Sequence, residues 1–144
     1  MDGYYGASTT TASEAVDVKP NDWIVMTTGE AVVELNKEYK FYDAAGPNAY
    51  YSNSQSDVIV IRPNAQNAVT TAQFSVFSFD TYDHLKVYDG IGTDSKLVGE
   101  YTGASVPSDL VKLQSTNADG ALTFEFYSDV MTRDEGWEAT IIST

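Results

Sequence analysis

Asp80, Asp83 and Asp129 are the residues of this chain whose type and placement could do chemistry. They fall in Phe79-Asp80-Thr81-Tyr82-Asp83 and Tyr127-Ser128-Asp129, where strand-forming runs give way to turns, and Tyr88-Asp89-Gly90 has the same character. Loops from neighbouring strands converge at such ends. Calcium takes six to eight oxygen ligands at about 2.3–2.6 Å, so its usual cage is several carboxylates from adjacent loops, completed by backbone carbonyls and water. Asp80, Asp83 and Asp129 could supply the charged part of that cage. The competing reading makes Asp80 and Asp83 strand-end residues bonding their own turn amides, and Asp129 an ordinary loop acid. Asp89, followed by Gly90, reads as a turn residue, as does Asp43 ahead of Gly46-Pro47.

Other chemistries find less support. The chain has 21 Asp plus Glu against 8 Lys plus Arg, a formal net charge of −13, and such a surface repels nucleic-acid phosphates and anionic headgroups. Without cysteine it offers no disulfide, thiol nucleophile or zinc–thiolate site. The single histidine, His84, alternates out of phase with Leu85 and Val87 and so belongs on the polar face of its strand, near the acids. No Gly-x-Ser-x-Gly elbow, phosphate-binding Gly-x-x-x-x-Gly-Lys loop or His-Glu-x-x-His helix is present. Acid pairs of the glycosidase kind exist in any chain this acidic, and no spacing favours one pair. The expectation is a recognition module and not an enzyme.

The elements that must position these acids read as strands. The 144 residues, 42% of them hydrophobic, supply one core and suggest one domain. Leu122, Phe124 and Phe126 alternate with Thr123, Glu125 and Tyr127, and Trp137, Ala139 and Ile141 repeat the period of two that marks a half-buried strand. Val58 to Ile61 is apolar on both faces. In Phe74-Ser75-Val76-Phe77-Ser78-Phe79 the phase slips between Val76 and Phe77, which implies either a bulge or burial on both faces. With turn signals between these runs and no sustained helical period, the fold class expected is all-β, an antiparallel two-sheet β-sandwich of jelly-roll type spanning residues 21–144. Residues 1–20, rich in Ser, Thr and Ala around Ala7–Asp17, read as a flexible arm or linker. They lack a basic-then-apolar leader, so an exported form would begin after its signal, and no run is long enough for membrane insertion.

The order of these residues resembles the CUB domain, most closely its cysteine-free versions in secreted bacterial proteins. Phe77-Ser78-Phe79-Asp80 and Tyr82-Asp83-His84-Leu85-Lys86-Val87-Tyr88-Asp89-Gly90 resemble the family's acidic strand end and its Tyr-Asp-x-Leu-x-Val-Tyr-Asp-Gly signature. Leu97 to Gly103 with Pro107, then Ala121 to Asp129 and Gly136-Trp137-Glu138-Ala139, resemble the segments that follow. The likeness covers roughly residues 23 to 142. It implies a Ca2+ ion held by Asp83 and Asp129, with Asp80 standing where the family has a Glu that this shortened loop lacks. It also implies a backbone ligand at Met131 and a steadying tyrosine at Tyr51.

By the same resemblance the module is extracellular or at a cell surface, and its acidic loop end receives Lys or Arg from a protein partner, with Tyr51, Tyr82 and His84 at the contact. A glycan is the alternative partner, stacked on exposed rings for which Tyr50, Tyr51, Tyr82 and Tyr88 are candidates.

Overall fold

A computed structural model describes residues 22–46, 54–129 and 135–144. The proposed arm at 1–20, Tyr50, Tyr51 and Met131 lie outside the described residues. The strands run β1 (Trp23–Val25), β2 (Gly29–Val33), β3 (Glu38–Tyr42), β4 (Ser56–Pro63), β5 (Thr70–Ser78), β6 (His84–Asp89), β7 (Lys96–Tyr101), β8 (Leu113–Gln114), β9 (Leu122–Tyr127) and β10 (Gly136–Ser143), with one 3-10 turn at Ser108–Leu110. They form two five-stranded sheets, ordered β1-β3-β10-β5-β8 and β2-β4-β9-β6-β7.

The runs with the strongest alternation occupy the middle of each sheet. In β9, Leu122, Phe124 and Phe126 are fully buried, and in β10 Trp137, Ala139 and Ile141 face them across the sandwich core. Trp137 packs edge-on against Phe41 at 5.4 Å and Phe126 at 5.2 Å, and stacks on Phe79 at 5.7 Å. The run that is apolar on both faces is β4, held between β2 and β9, with Ile59 and Ile61 fully buried and Val60 7% exposed.

Two features refine the expected sandwich. The sheets are mixed, because β1 pairs with β3 and β2 with β4 in parallel. The chain from Trp23 to Val33 is split between the edges of the two sheets, so each parallel pair is joined through a strand of the opposite sheet. Alternation reports which face a residue takes and carries no information on the direction of a neighbour. The phase slip in β5 is a bulge: Glu138 stands opposite Val76 and Ala139 opposite Phe74, which leaves Ser75 unpaired. The extra residue returns Phe77 to the core beside Phe74 while Val76 stays 41% exposed.

Because β4, β6 and β9 run alternately up and down, their ends sort into two clusters. The start of β4, the end of β9 and the start of β6 meet at one end, where Ser56 and His84 both stand opposite Tyr127. The end of β4, the start of β9 and the end of β6 meet at the other.

Candidate functional site

The first cluster carries the acids, here called the acidic end. Asp83, immediately before β6, has no exposed surface, and its Oδ1 accepts the backbone N–H of Asp129 at 2.9 Å. That bond ties the start of β6 to the chain leaving β9. The carbonyl of Asp129 accepts the Ser54 N–H at 2.7 Å, while buried Ser128 donates its N–H to the Gln55 carbonyl at 3.0 Å and accepts the Gln55 N–H on Oγ at 2.8 Å. Asp83 and Asp129 therefore meet at a seam where three chain segments are joined by hydrogen bonds rather than by apolar packing.

Asp80 is engaged differently. Its Oδ1 accepts the Tyr82 N–H at 3.2 Å, its carbonyl accepts the Asp83 N–H at 2.9 Å, and Thr102 Oγ1 donates to the same carbonyl at 3.1 Å. This is the Asx-type turn of the competing reading. Asp83 departs from that reading, since its carboxylate reaches across to another strand's loop. Among the described residues no group of three or more His, Asp or Glu side chains is arranged to hold a metal ion. The fully buried carboxylate of Asp83 beside Asp129 suits a hard cation as part of a donor set.

The expected contact residues beside these acids are exposed to different degrees. Tyr82 is 67% exposed. His84 is half-buried, stacked on Tyr127 at 6.1 Å, with its Nδ1 3.7 Å from Glu100 Oε2. Tyr88 is corrected as a stacking platform: it is 7% exposed, and its hydroxyl donates to Glu125 Oε1 at 2.7 Å. Burial first, then Glu125, pushes its phenol up to about 12.

Two acids read as turn residues have larger structural roles. Asp43 is 1% exposed and accepts the Ala45 N–H at 2.9 Å. Burial pushes its carboxyl up to about 6, against the pull of the amides of Ala45, Trp137 and its own residue. A Cβ on Gly136, where φ is +84°, would lie 2.1 Å from Asp43 Oδ2, so the absent side chain is what admits the carboxylate. Spacing alone could not pair positions so far apart in sequence; the readable signal was a glycine opening a strand directly before the core Trp137.

At the opposite end, Asp89 accepts the Thr116 N–H at 2.9 Å, the Thr116 hydroxyl, and Asn117 Nδ2 at 2.6 Å. Burial alone would raise its carboxyl, but these donors from Thr116 and Asn117 hold it below the ordinary carboxylate value. The turn role expected for Asp89 is thus a brace on the loop between β8 and β9.

A match to the CUB domain covers residues 29–141. Human cubilin is 27% identical over 113 residues, which is 73% of this chain and 3% of that protein, and dog cubilin is 36% identical over 59 residues, 41% of this chain and 2% of that protein. The chain thus spans a small fraction of these curated relatives. Among solved structures, the CUB1-EGF-CUB2 region of human MASP-1/3 superposes with a TM-score of 0.63 at 13% identity, covering 94% of this chain and 49% of that one. The extracellular region of zebrafish Gpr126/Adgrg6 gives 0.63 at 20% identity, over 82% of this chain and 15% of that one. The MASP-1 CUB2 domain, a structure bound to Ca2+, gives 0.56 at 18% identity, over 76% of this chain and 96% of that one. At these identities the structures establish the fold alone; the match across residues 29–141, on a sandwich that gathers Asp83 and Asp129 at one end, shows that the chain belongs to the CUB domain family.

Proposed function

We propose that this domain is an extracellular protein-binding module whose acidic end holds a calcium ion and receives a Lys or Arg side chain from its partner. The observation that carries the reading is Asp83: a carboxylate with no exposed surface, at a junction of three segments, bonded to the amide of a second acidic residue. CUB domains are typically non-enzymatic binding modules, and a Ca2+-bound CUB2 domain of MASP-1 shares this fold. Asp83 and Asp129 would hold the ion, with Asp80 and the Met131 carbonyl as the further ligands suggested by sequence order. The ion would supply positive charge that fixes the loops and neutralises the buried carboxylate. Carboxylate oxygens left facing outward then accept a cationic side chain, with Tyr82 and His84 flanking the contact.

The net charge of −13 suits a basic partner and gives association a salt dependence. No helix among the described residues is long and apolar enough to cross a membrane.

Calcium titration by calorimetry on chelator-stripped protein, with thermal melts alongside, tests this reading. Saturable binding is expected, with a rise in Tm of roughly 8 °C at a hundredfold excess over Kd, since that excess contributes about 2.7 kcal/mol. The heat should vanish in Asp129→Ala, whose side chain is less buried than that of Asp83, and in Asp83→Asn. Absence of heat and of any Tm shift in the wild type would remove calcium from the proposal.

A further inference from the structure

The end of the sandwich opposite Asp83 carries an open recess of about 710 Å³. Its walls come from the end of β4 and the loop after it, the turn after β6, the loop before β9 and an outward residue of β2. This volume lies within the range of small-ligand sites, roughly 300–1,000 Å³.

The recess is preorganised. Asn117 accepts the Asp119 and Ala121 N–H groups on Oδ1 and donates to the Ala121 carbonyl and to Asp89. Thr123 Oγ1 donates to the Gly90 carbonyl at 2.7 Å and accepts the Gly92 N–H at 2.8 Å. Gly120, with φ at +67°, brings its loop so near the next that an added Cβ would lie 2.1 Å from the Ala68 carbonyl oxygen. Two loops are therefore fixed to one another by hydrogen bonds, and the third, after β4, packs closely against Gly120.

Into this frame the chain places exposed polar groups. The exposed side-chain amides of Asn64, Gln66 and Asn67 line it together with the exposed carboxylate of Asp119, whose charge acts on Arg62. Arg62 does not offer a free cation, because Glu30 takes its Nε at 2.8 Å and Nη2 at 3.3 Å. With Glu30 and Asp119 against the one guanidinium, the lining carries a net negative charge and disfavours phosphate, sulfate or carboxylate. It contains no aromatic ring to stack on a base, and the 47% exposed Ile91 provides an apolar wall.

Carboxamides that both donate and accept, a carboxylate that only accepts, and one aliphatic wall complement a ligand whose polar groups are hydroxyls beside C–H faces. The geometry points to a binding site for a neutral oligosaccharide in this recess, separate from the acidic end and independent of calcium. It goes beyond the protein-binding reading and does not depend on it.

A printed array of neutral, sialylated and sulfated oligosaccharides, probed with the protein in excess chelator, is the first test. Binding to neutral glycans is expected; the retained glycan, titrated into 15N-labelled protein, should shift amides of residues 62–68, 90–92 and 117–120. Gln66→Ala and Asp119→Ala, both at exposed positions, should weaken that glycan at least tenfold with Tm unchanged. The proposal falls if no neutral glycan is retained, if the variants bind as well as the wild type, or if shifts fall only at residues 80–84 and 127–129. Retention of sulfated or sialylated glycans alone, or of a Lys-bearing peptide in place of a sugar, would equally overturn it. None of these results bears on the calorimetric calcium test, which reads Asp83 and Asp129.

Discussion

Asp43 and Asp89 sit at opposite ends of the same sandwich and respond oppositely to their surroundings. Asp43 is 1% exposed and its visible partners are backbone amides; burial wins, and its carboxyl rises to about 6. Asp89 is half-buried and receives two donors from Thr116 and one from Asn117; the donors win, and its carboxyl falls below the ordinary value. The balance of desolvation against donors decides the sign in each case. The acidic end thus holds a carboxylate under electrostatic strain, whereas the opposite end holds one at ease.

The glycines at the two ends sharpen this contrast most strongly. Gly120→Ala places a methyl 2.1 Å from a backbone carbonyl oxygen at a φ of +67°, so neither strain nor overlap can be relieved by a rotamer change. The left-handed backbone alone costs about 1–2 kcal/mol, and the overlap should bring the loss to about 3–4 kcal/mol in denaturant melts. Gly136→Ala meets the Asp43 side chain instead, and the double variant Gly136→Ala/Asp43→Ala should recover part of the loss. Equal, unrescued losses at both positions would show that backbone strain alone governs them.

The next largest effect is a pH dependence of opposite sign at the two acids. Because the folded value for Asp43, about 6, lies above the ordinary carboxyl value of 3.8, its stabilising contribution is complete below the unfolded value and is lost as pH rises through about 6. For Asp89, with a lowered folded value, the contribution is present above the unfolded value and lost as pH falls through the folded one. Relative to Asp43→Asn, the wild type should gain up to about 3 kcal/mol as pH falls from 7 to 4, about two units at about 1.4 kcal/mol each. A difference that stays flat between pH 4 and 7 would mean that Asp43 titrates normally.

These contrasts mark what the sequence makes legible. The core strands were readable because Leu122-Phe124-Phe126 and Trp137-Ala139-Ile141 alternate without interruption, and the β5 bulge announced itself as a broken phase. The parallel pairing of β1 with β3 and of β2 with β4 was not, because direction depends on the path of the whole chain. The meeting of Asp83 with Asp129 followed from their places at strand ends, whereas Asp80 has the turn bond that its spacing from Tyr82 equally allowed. The burial of Asp43 against Gly136 and the recess around Asp119 depend on loops brought together only by folding, so Gly136 ahead of Trp137 marks a close approach without naming its partner.

Removing the charge at the relaxed end should cost less than either change above. Asp89→Asn keeps one acceptor for Thr116 or Asn117 but loses the charge-assisted bonds, an effect of about 1–2 kcal/mol. Amide exchange at Thr116 and Asn117 should quicken while that at Asp129 stays as before. Faster exchange at both ends would show the two clusters to be coupled through β6, which runs from His84 to Asp89.

Tyr88→Phe probes that coupling with the smallest expected change. The ring lies in β6 one residue before Asp89, and removing its hydroxyl frees Glu125, which is half-buried and can take water in its place. The cost should be about 1 kcal/mol, the net worth of one hydrogen bond. In an ultraviolet titration the variant should lose one of the phenols pushed up to about 12, leaving that of Tyr101, which burial and Asp109 raise. Calcium heats and the Asp43 pH difference should be unchanged, because the bond lies between the two ends and belongs to neither. A shift in either quantity would mean that β6 transmits strain from one end to the other, and the two acids would then have to be treated as one titrating system.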